Sequence, residues 1–186
     1  MNPIMTTIIP NEIQQIAQDI YRTIRQKCVG NSAITVLHIA DEYSFMVQGT
    51  NADTPDNVWL FEIGTEKTAR EFFIHNPPTA GEVENAIQVV EDEVMPLHKL
   101  LTPHSNLYTL DACILDIARV SAFEESKQGA ILSIQDMEHA FTRLAAIISG
   151  RPASQDILPS TNAFAATLLI LREVMHHLRF RNITIC

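Results

Sequence analysis

The sequence predicts an α+β fold, in which an antiparallel sheet of about four strands over residues 33–75 is packed by an N-terminal helix and three or four C-terminal helices. Three observations lead there. Before residue 33, Ile13, Ile16, Ile20 and Ile24 recur at helical steps. From Ala33 to His75 the apolar residues fall in short runs rich in β-branched and aromatic types, joined by turns that leave no room for crossovers. After Pro77 the three-four spacing returns and holds nearly to the end. One domain over residues 1–186 is expected, with 1–78 supplying a helix and the sheet and 79–186 mainly helical.

Asn11 opens the first helix and Gly30 supplies its expected stop. Ala33–Ala40 and Tyr43–Gln48 read as a hairpin turning at Asp41-Glu42. A polar loop from Asn51 to Asn57 leads to a third strand, Val58–Ile63. Gly64–Lys67 reads as a turn into a fourth strand, Ala69–His75. Thr79-Ala80-Gly81-Glu82 has the spacing of a capping box, and Val83, Ile87, Val90, Val94, Leu97 and Leu101 form one apolar stripe behind it. Pro96 should kink that helix, and Thr102-Pro103 should close it.

Leu107–Val120 favours a helix through Leu107, Leu110, Ile114 and Ile117, although so apolar a segment also suits a strand. Ser121–Gly129 reads as a charged loop. Ser133 caps a helix carrying Ile134, Met137, Phe141, Leu144 and Ile148, which Gly150 ends. The last helix runs from Asn162 to about Phe180, and Asn182–Ile185 reads as an edge strand.

Composition narrows the function. Apolar residues make up 46% of the chain and charged ones 19%, enough for a packed core. Thirteen Lys and Arg against 22 Asp and Glu leave a net charge of −9, which argues against a nucleic-acid partner. Cys28, Cys113 and Cys186 are far apart and odd in number, so neither a disulfide framework nor a zinc site is signalled. Met1–Pro10 lacks the charged start of a secretory signal, and Ala163–Leu171 falls well short of the ~20 apolar residues that span a bilayer. No membrane association and a cytoplasmic location are expected.

Chemistry-bearing residues are scattered. His75 stands at a strand-to-helix corner, where helix N-termini can hold anions. Glu84, Glu91 and His98 share one line of a helix, but seven residues rise about 10 Å, so one helix cannot close a site with them. Glu173 and His177, four apart, supply two of the three or four ligands zinc requires. His75, Glu91 and His98 are therefore the catalytic candidates, and Glu173 and His177 the metal candidates. Each also has a plain reading as a solvated charge or ion pair. His38, centred in an apolar strand, reads as a histidine with a satisfied partner. No nucleophile elbow is present, Gly64-Thr65-Glu66-Lys67-Thr68 lacks the glycine spacing of a phosphate loop, and no cofactor is expected.

The abundant apolar faces favour a self-associating protein that acts by binding or regulatory contact, as a homodimer and with a possible protein partner. The alternatives are a small-molecule or metal-dependent hydrolase whose residues converge from separate segments, and a small-molecule sensor module.

Overall fold

In the computed structural model, which describes residues 9–28, 32–50, 53–122, 124–126 and 129–186, seven strands form one mixed sheet. The strands are β1 (Ile34–Ile39), β2 (Ser44–Gly49), β3 (Asn57–Phe61), β4 (Asn106–Thr109), β5 (Glu124–Ser126), β6 (Gly129–Ser133) and β7 (Asn182–Ile185), in the spatial order β3-β2-β1-β4-β7-β6-β5. β1 pairs with β4 in parallel, as does β4 with β7, while the outer pairs are antiparallel. The helices are α1 (Asn11–Lys27), α2 (Thr65–Phe72), α3 (Ala80–Val94), α4 (Ala112–Val120), α5 (Ile134–Ile148) and α6 (Asn162–His177). The N-terminal segment 1–8, the expected helix stop at Gly30 and the loop start at Asn51 lie outside the described residues.

This corrects the expected α+β fold with an antiparallel sheet of four strands. The hairpin β1–β2 and strand β3 form as an antiparallel meander, but β1 then receives β4 on its other edge, with Ile34 opposite Asn106 and Val36 opposite Tyr108. Parallel pairing needs a long crossover, and α2 and α3 supply it. The segment 69–75, expected as a fourth strand, is instead the end of α2 and the corner that follows. Its cluster Phe72-Phe73-Ile74 mimics a strand, but the buried residues Thr68, Ala69 and Phe73 fall at helical spacing. Gly64–Lys67 is accordingly a helix start: the carbonyl of Ala40 accepts from Thr65 N–H, and that of Asp41 from Glu66 and Lys67 N–H.

The segment 107–120 holds both elements, β4 and α4, divided at Leu110-Asp111. Part of the expected charged loop 121–129 is the edge strand β5, whose residue Glu124 pairs with Ile131 of β6. A strand of three residues is too short to show a period in the sequence. β7 lies inside the sheet rather than at its edge, between β4 and β6, with Ile183 fully buried.

Strand alternation splits the core between two faces. Ile34, Val36, Phe45, Val47 and Tyr108 meet Ala17, Tyr21 and Ile24 of α1. Leu37, Ile39, Met46, Leu107, Leu132, Ile183 and Ile185 face the larger cluster, to which α2 through α6 contribute. α6 is apolar all round because it is the central helix of that layer, touching α2, α3, α4 and α5, and Phe164 through Leu171 are all buried. The stripe on α3 is likewise covered within the chain, with Val83, Ala86, Val90 and Val94 all buried. Among the described residues, the α3 and α6 faces that prompted the expectation of a homodimer are therefore largely covered by the chain itself. The helix turns 3-10 at Met95–Lys99, where Pro96 interrupts it. No helix among the described residues is long and apolar enough to cross a membrane.

Candidate active site

β1 and β4 lie side by side and parallel, and the chain leaves their carboxyl ends in opposite directions, to β2 on one side and through α4 toward the other edge. Such a switch point opens a crevice where open sheets bind ligands. The starts of three helices meet beside it. Thr65 of α2, Cys113, Asp116 and Arg119 of α4, and Thr161 and Phe164 at the start of α6 line one cavity of about 380 Å³.

Each helix start is fixed differently. The first amides of α2 are taken by the carbonyls of Ala40 and Asp41, so the β1–β2 turn itself caps that helix. Gly64 permits the approach, since a Cβ there would lie 2.5 Å from Asp41 O. At α6, Thr161 caps Phe164 N–H at 3.2 Å. At α4 the N-cap residue Asp111 makes no side-chain cap, because its carboxylate turns back onto β1. There Oδ2 accepts from Ile39 N–H at 2.7 Å and Oδ1 lies 2.6 Å from His38 Nδ1. The first amides of α4 thus receive no side-chain cap from Asp111, and α4 lines the cavity along one side, from Cys113 to Val120.

Inside the cavity Arg119 Nη1 meets Asp116 Oδ1 at 3.0 Å, both side chains more than half exposed. Thr167 Oγ1 donates to Ala163 O and lies 2.9 Å from Thr65 Oγ1, joining α6 to α2. The Cys113 thiol is pushed up to about 12, mainly by burial and then by the nearby Asp111 charge. It stays protonated at neutral pH and is a wall, not a nucleophile. His38 does not line this cavity; its side chain shares the α1 face with Phe45, whose ring centroid is 4.8 Å away.

The residues singled out from sequence lie elsewhere. His75 sits on the exposed corner between α2 and α3, its Nδ1 2.8 Å from Glu82 Oε1. Glu91, Glu173 and His177 do come together: His177 Nε2 is 3.0 Å from Glu173 Oε2 and 3.6 Å from Glu91 Oε1. Glu173 is buried, and its other oxygen accepts from Arg172 at 2.6 Å. Among the described residues no group of three His, Cys, Asp or Glu is placed to hold a metal ion. His98 is exposed on the 3-10 turn, at the amino edge of the sheet.

Sequence reasoning missed Thr65, Asp111, Asp116, Arg119 and Thr161. The usable signal was Thr109-Leu110-Asp111-Ala112, a strand end running straight into a helix start. It acquires meaning only once that strand is known to be parallel.

Neither a protein-family model nor a curated protein matches the sequence. Solved structures do share its fold. The Aquifex aeolicus PPX-GPPA enzyme superposes with a TM-score of 0.74 at 17% identity, over 93% of this chain and 59% of that one. The type II variant of the Aquifex aeolicus Ppx/GppA phosphatase gives 0.73 at 16% identity, over 92% and 59%. An exopolyphosphatase from Cytophaga hutchinsonii gives 0.69 at 15% identity, over 92% and 59%. This chain therefore has the fold of part of those proteins and spans less than two thirds of their length.

Proposed function

We propose that the chain is a hydrolase of small phosphorylated molecules, with its site in the cavity at the carboxyl edge of β1 and β4. One observation carries the reading: the starts of α2 and α6 and one side of α4 line a single cavity, in a fold shared with phosphatases. Partial positive charge at helix N-termini favours an anion there, and Arg119 adds a guanidinium that Asp116 partly offsets.

In this reading the start of α6 and Arg119 hold the phosphate. Asp116, beside Arg119, accepts a proton from the attacking water. The threonine hydroxyls of residues 65 and 161 orient the substrate, and the protonated Cys113 excludes bulk water. A protein acting only by contact is less favoured, since the apolar faces of α3 and α6 are largely buried within the chain.

A sensor that binds without turnover is the second reading. It is favoured by the β1–β2 turn, which carries Asp41 and Glu42 where a phosphate loop would want glycines. Phosphate release from p-nitrophenyl phosphate and inorganic tripolyphosphate, measured with magnesium present, separates the two. Hydrolysis predicts release by the wild type that falls tenfold or more in Asp116→Asn and Arg119→Gln at unchanged melting temperature. No release above the buffer blank overturns the hydrolase. A thermal shift by tripolyphosphate that Arg119→Gln abolishes, without release, selects the sensor.

A further inference from the structure

The opposite edge of the sheet carries a second feature that the carboxyl-edge site does not use. Where β4 and β7 begin, a depression of about 1050 Å³ opens between the 101–106 loop and the α6–β7 connection. Its lining includes Arg179, Arg181, His98 and His104 and not one Asp or Glu, in a chain whose acids outnumber its Lys and Arg by 22 to 13. Every other arginine of the chain holds a carboxylate or a carbonyl. Among the described residues, the guanidinium groups of Arg179 and Arg181 have no such partner.

Backbone strain marks the same place. α6 ends in a Schellman motif, with Phe180 N–H bonded to Met175 O at 2.9 Å and Arg179 N–H to His176 O at 3.3 Å. The residue between these bonds must be left-handed, a position glycine normally fills, yet it is Arg179 at φ 61°. His104 is left-handed too, at φ 64°. Among the described residues these are the only non-glycine residues with positive φ, and both carry cationic or protonatable side chains into one depression. Strain of this kind persists where the surroundings enforce it and clusters at functional sites.

The surroundings do enforce it. Buried Gln48 accepts from Thr102 N–H at 2.8 Å and donates to Ser105 Oγ at 3.1 Å, and Thr35 Oγ1 lies 2.8 Å from the same serine. His104 is therefore held from both sides. On the other wall Arg181 O accepts from Ile134 N–H at 2.8 Å, which pins the segment carrying both arginines.

We propose that this amino-edge depression binds a small polyanion, with Arg179 and Arg181 as its charge partners and His104 and His98 at its rim. A compact ligand is favoured over a nucleic acid because two arginines on a chain of net charge −9 cannot neutralise a long phosphate backbone. Phosphate clusters and polycarboxylates share the required chemistry, oxyanions spaced to meet two planar guanidinium forks.

Titration calorimetry at moderate salt, with inorganic tripolyphosphate and with citrate in turn, tests this on the wild type and on Arg179→Gly, Arg181→Gln and Arg119→Gln. We expect at least one anion to show a binding event that Arg119→Gln retains, and the affinity of that event to fall tenfold or more in Arg179→Gly and Arg181→Gln. Arg179→Gly should melt no lower than the wild type, because glycine relieves the left-handed position. Arg181→Gln leaves that backbone untouched and decides the matter if Arg179→Gly folds poorly. Preference for tripolyphosphate identifies a phosphorylated ligand, and preference for citrate a polycarboxylate. Absence of binding by the wild type, or unchanged affinity in Arg181→Gln, overturns the proposal. Loss of binding in Arg119→Gln alone would assign the anion to the carboxyl-edge cavity instead.

Discussion

Asp111 and His38 clamp the carboxyl edge of the sheet: the carboxylate at the start of α4 holds His38 Nδ1 at 2.6 Å while its other oxygen takes the Ile39 N–H at 2.7 Å. One side chain thus ties α4 to the end of β1, across the switch point. Asp111→Ala leaves a buried backbone donor without a partner, which costs about 1–3 kcal/mol. Asp111→Asn keeps an acceptor for Ile39 and should recover most of that loss. Urea denaturation of the two variants checks the order. Equal stability of Asp111→Ala and wild type would show that the clamp contributes nothing.

Gly64→Ala should separate α2 from the β1–β2 turn. The added Cβ would stand 2.5 Å from Asp41 O and 2.6 Å from Tyr43 N, both backbone atoms that cannot swing aside. Overpacking of this kind costs about 1–3 kcal/mol. The three helix-capping bonds from Thr65, Glu66 and Lys67 should weaken with it, and amide hydrogen exchange at those positions should accelerate. Unchanged exchange would mean that α2 is not held by that turn.

The helices were easier to read than the sheet, for a physical reason. α3 announces itself through Thr79 and Glu82, whose capping box forms, and through a buried stripe that begins at Val83. α5 does so through Ser133, which caps Asp136 N–H. Both signals are local. The pairing of β1 with β4 joins residues some seventy positions apart, and four-residue strands such as β4 and β7 are too short to show a period. The candidate site inherits that difficulty, because the carboxyl edge exists only after β4 has been placed beside β1. Glu173 and His177 were legible because one helix carries both, whereas the approach of Glu91 needed α3 packed against α6.

Glu82 should make stability depend on pH. Its carboxyl is lowered to about 2, first by the Thr79 backbone N–H and then by His75. A folded value below the unfolded one of 4.5 means that the contribution is present above about 4.5 and is lost as pH falls through about 2. Glu82→Gln should flatten the stability profile across that window and change little of its slope near neutrality. Thr79→Ala, which removes the other half of the box, should cost about 1 kcal/mol. Denaturation midpoints taken between pH 2 and 7 test both, and a profile identical to wild type in Glu82→Gln refutes the assignment.

Asp156 gathers Arg143 and Arg151 and accepts Leu158 N–H at 3.1 Å, with its side chain only 5% exposed. The hydrogen bond from Arg143 leads in holding its carboxyl down at about 2, so its stabilisation is complete above about 4 and is lost toward pH 2. Asp156→Ala leaves two guanidinium groups without their carboxylate and should cost about 2 kcal/mol at neutral pH. The loss should shrink as the wild type is itself protonated. A constant difference between variant and wild type from pH 7 to pH 2 would contradict this.

Glu173 separates a structural from a catalytic reading of the α3–α6 cluster. Its side chain is 2% exposed and meets Arg172 at 2.6 Å and His177 at 3.0 Å. Arg172 is further held by Glu138 at 3.2 Å and lies 4.7 Å from the Phe141 ring centroid, so it cannot easily follow if the carboxylate is removed. Breaking a buried pair by deleting one member typically costs 3–5 kcal/mol, so Glu173→Ala should lose about 3 kcal/mol. Glu173→Gln, which retains one acceptor oxygen, should lose less. His177→Ala, at a side chain 22% exposed, should lose least. A structural cluster predicts that phosphate release follows these stabilities and is normal in whichever variant remains folded. A Glu173→Gln protein that melts like the wild type but releases no phosphate would instead move the chemistry from the carboxyl-edge cavity to this cluster.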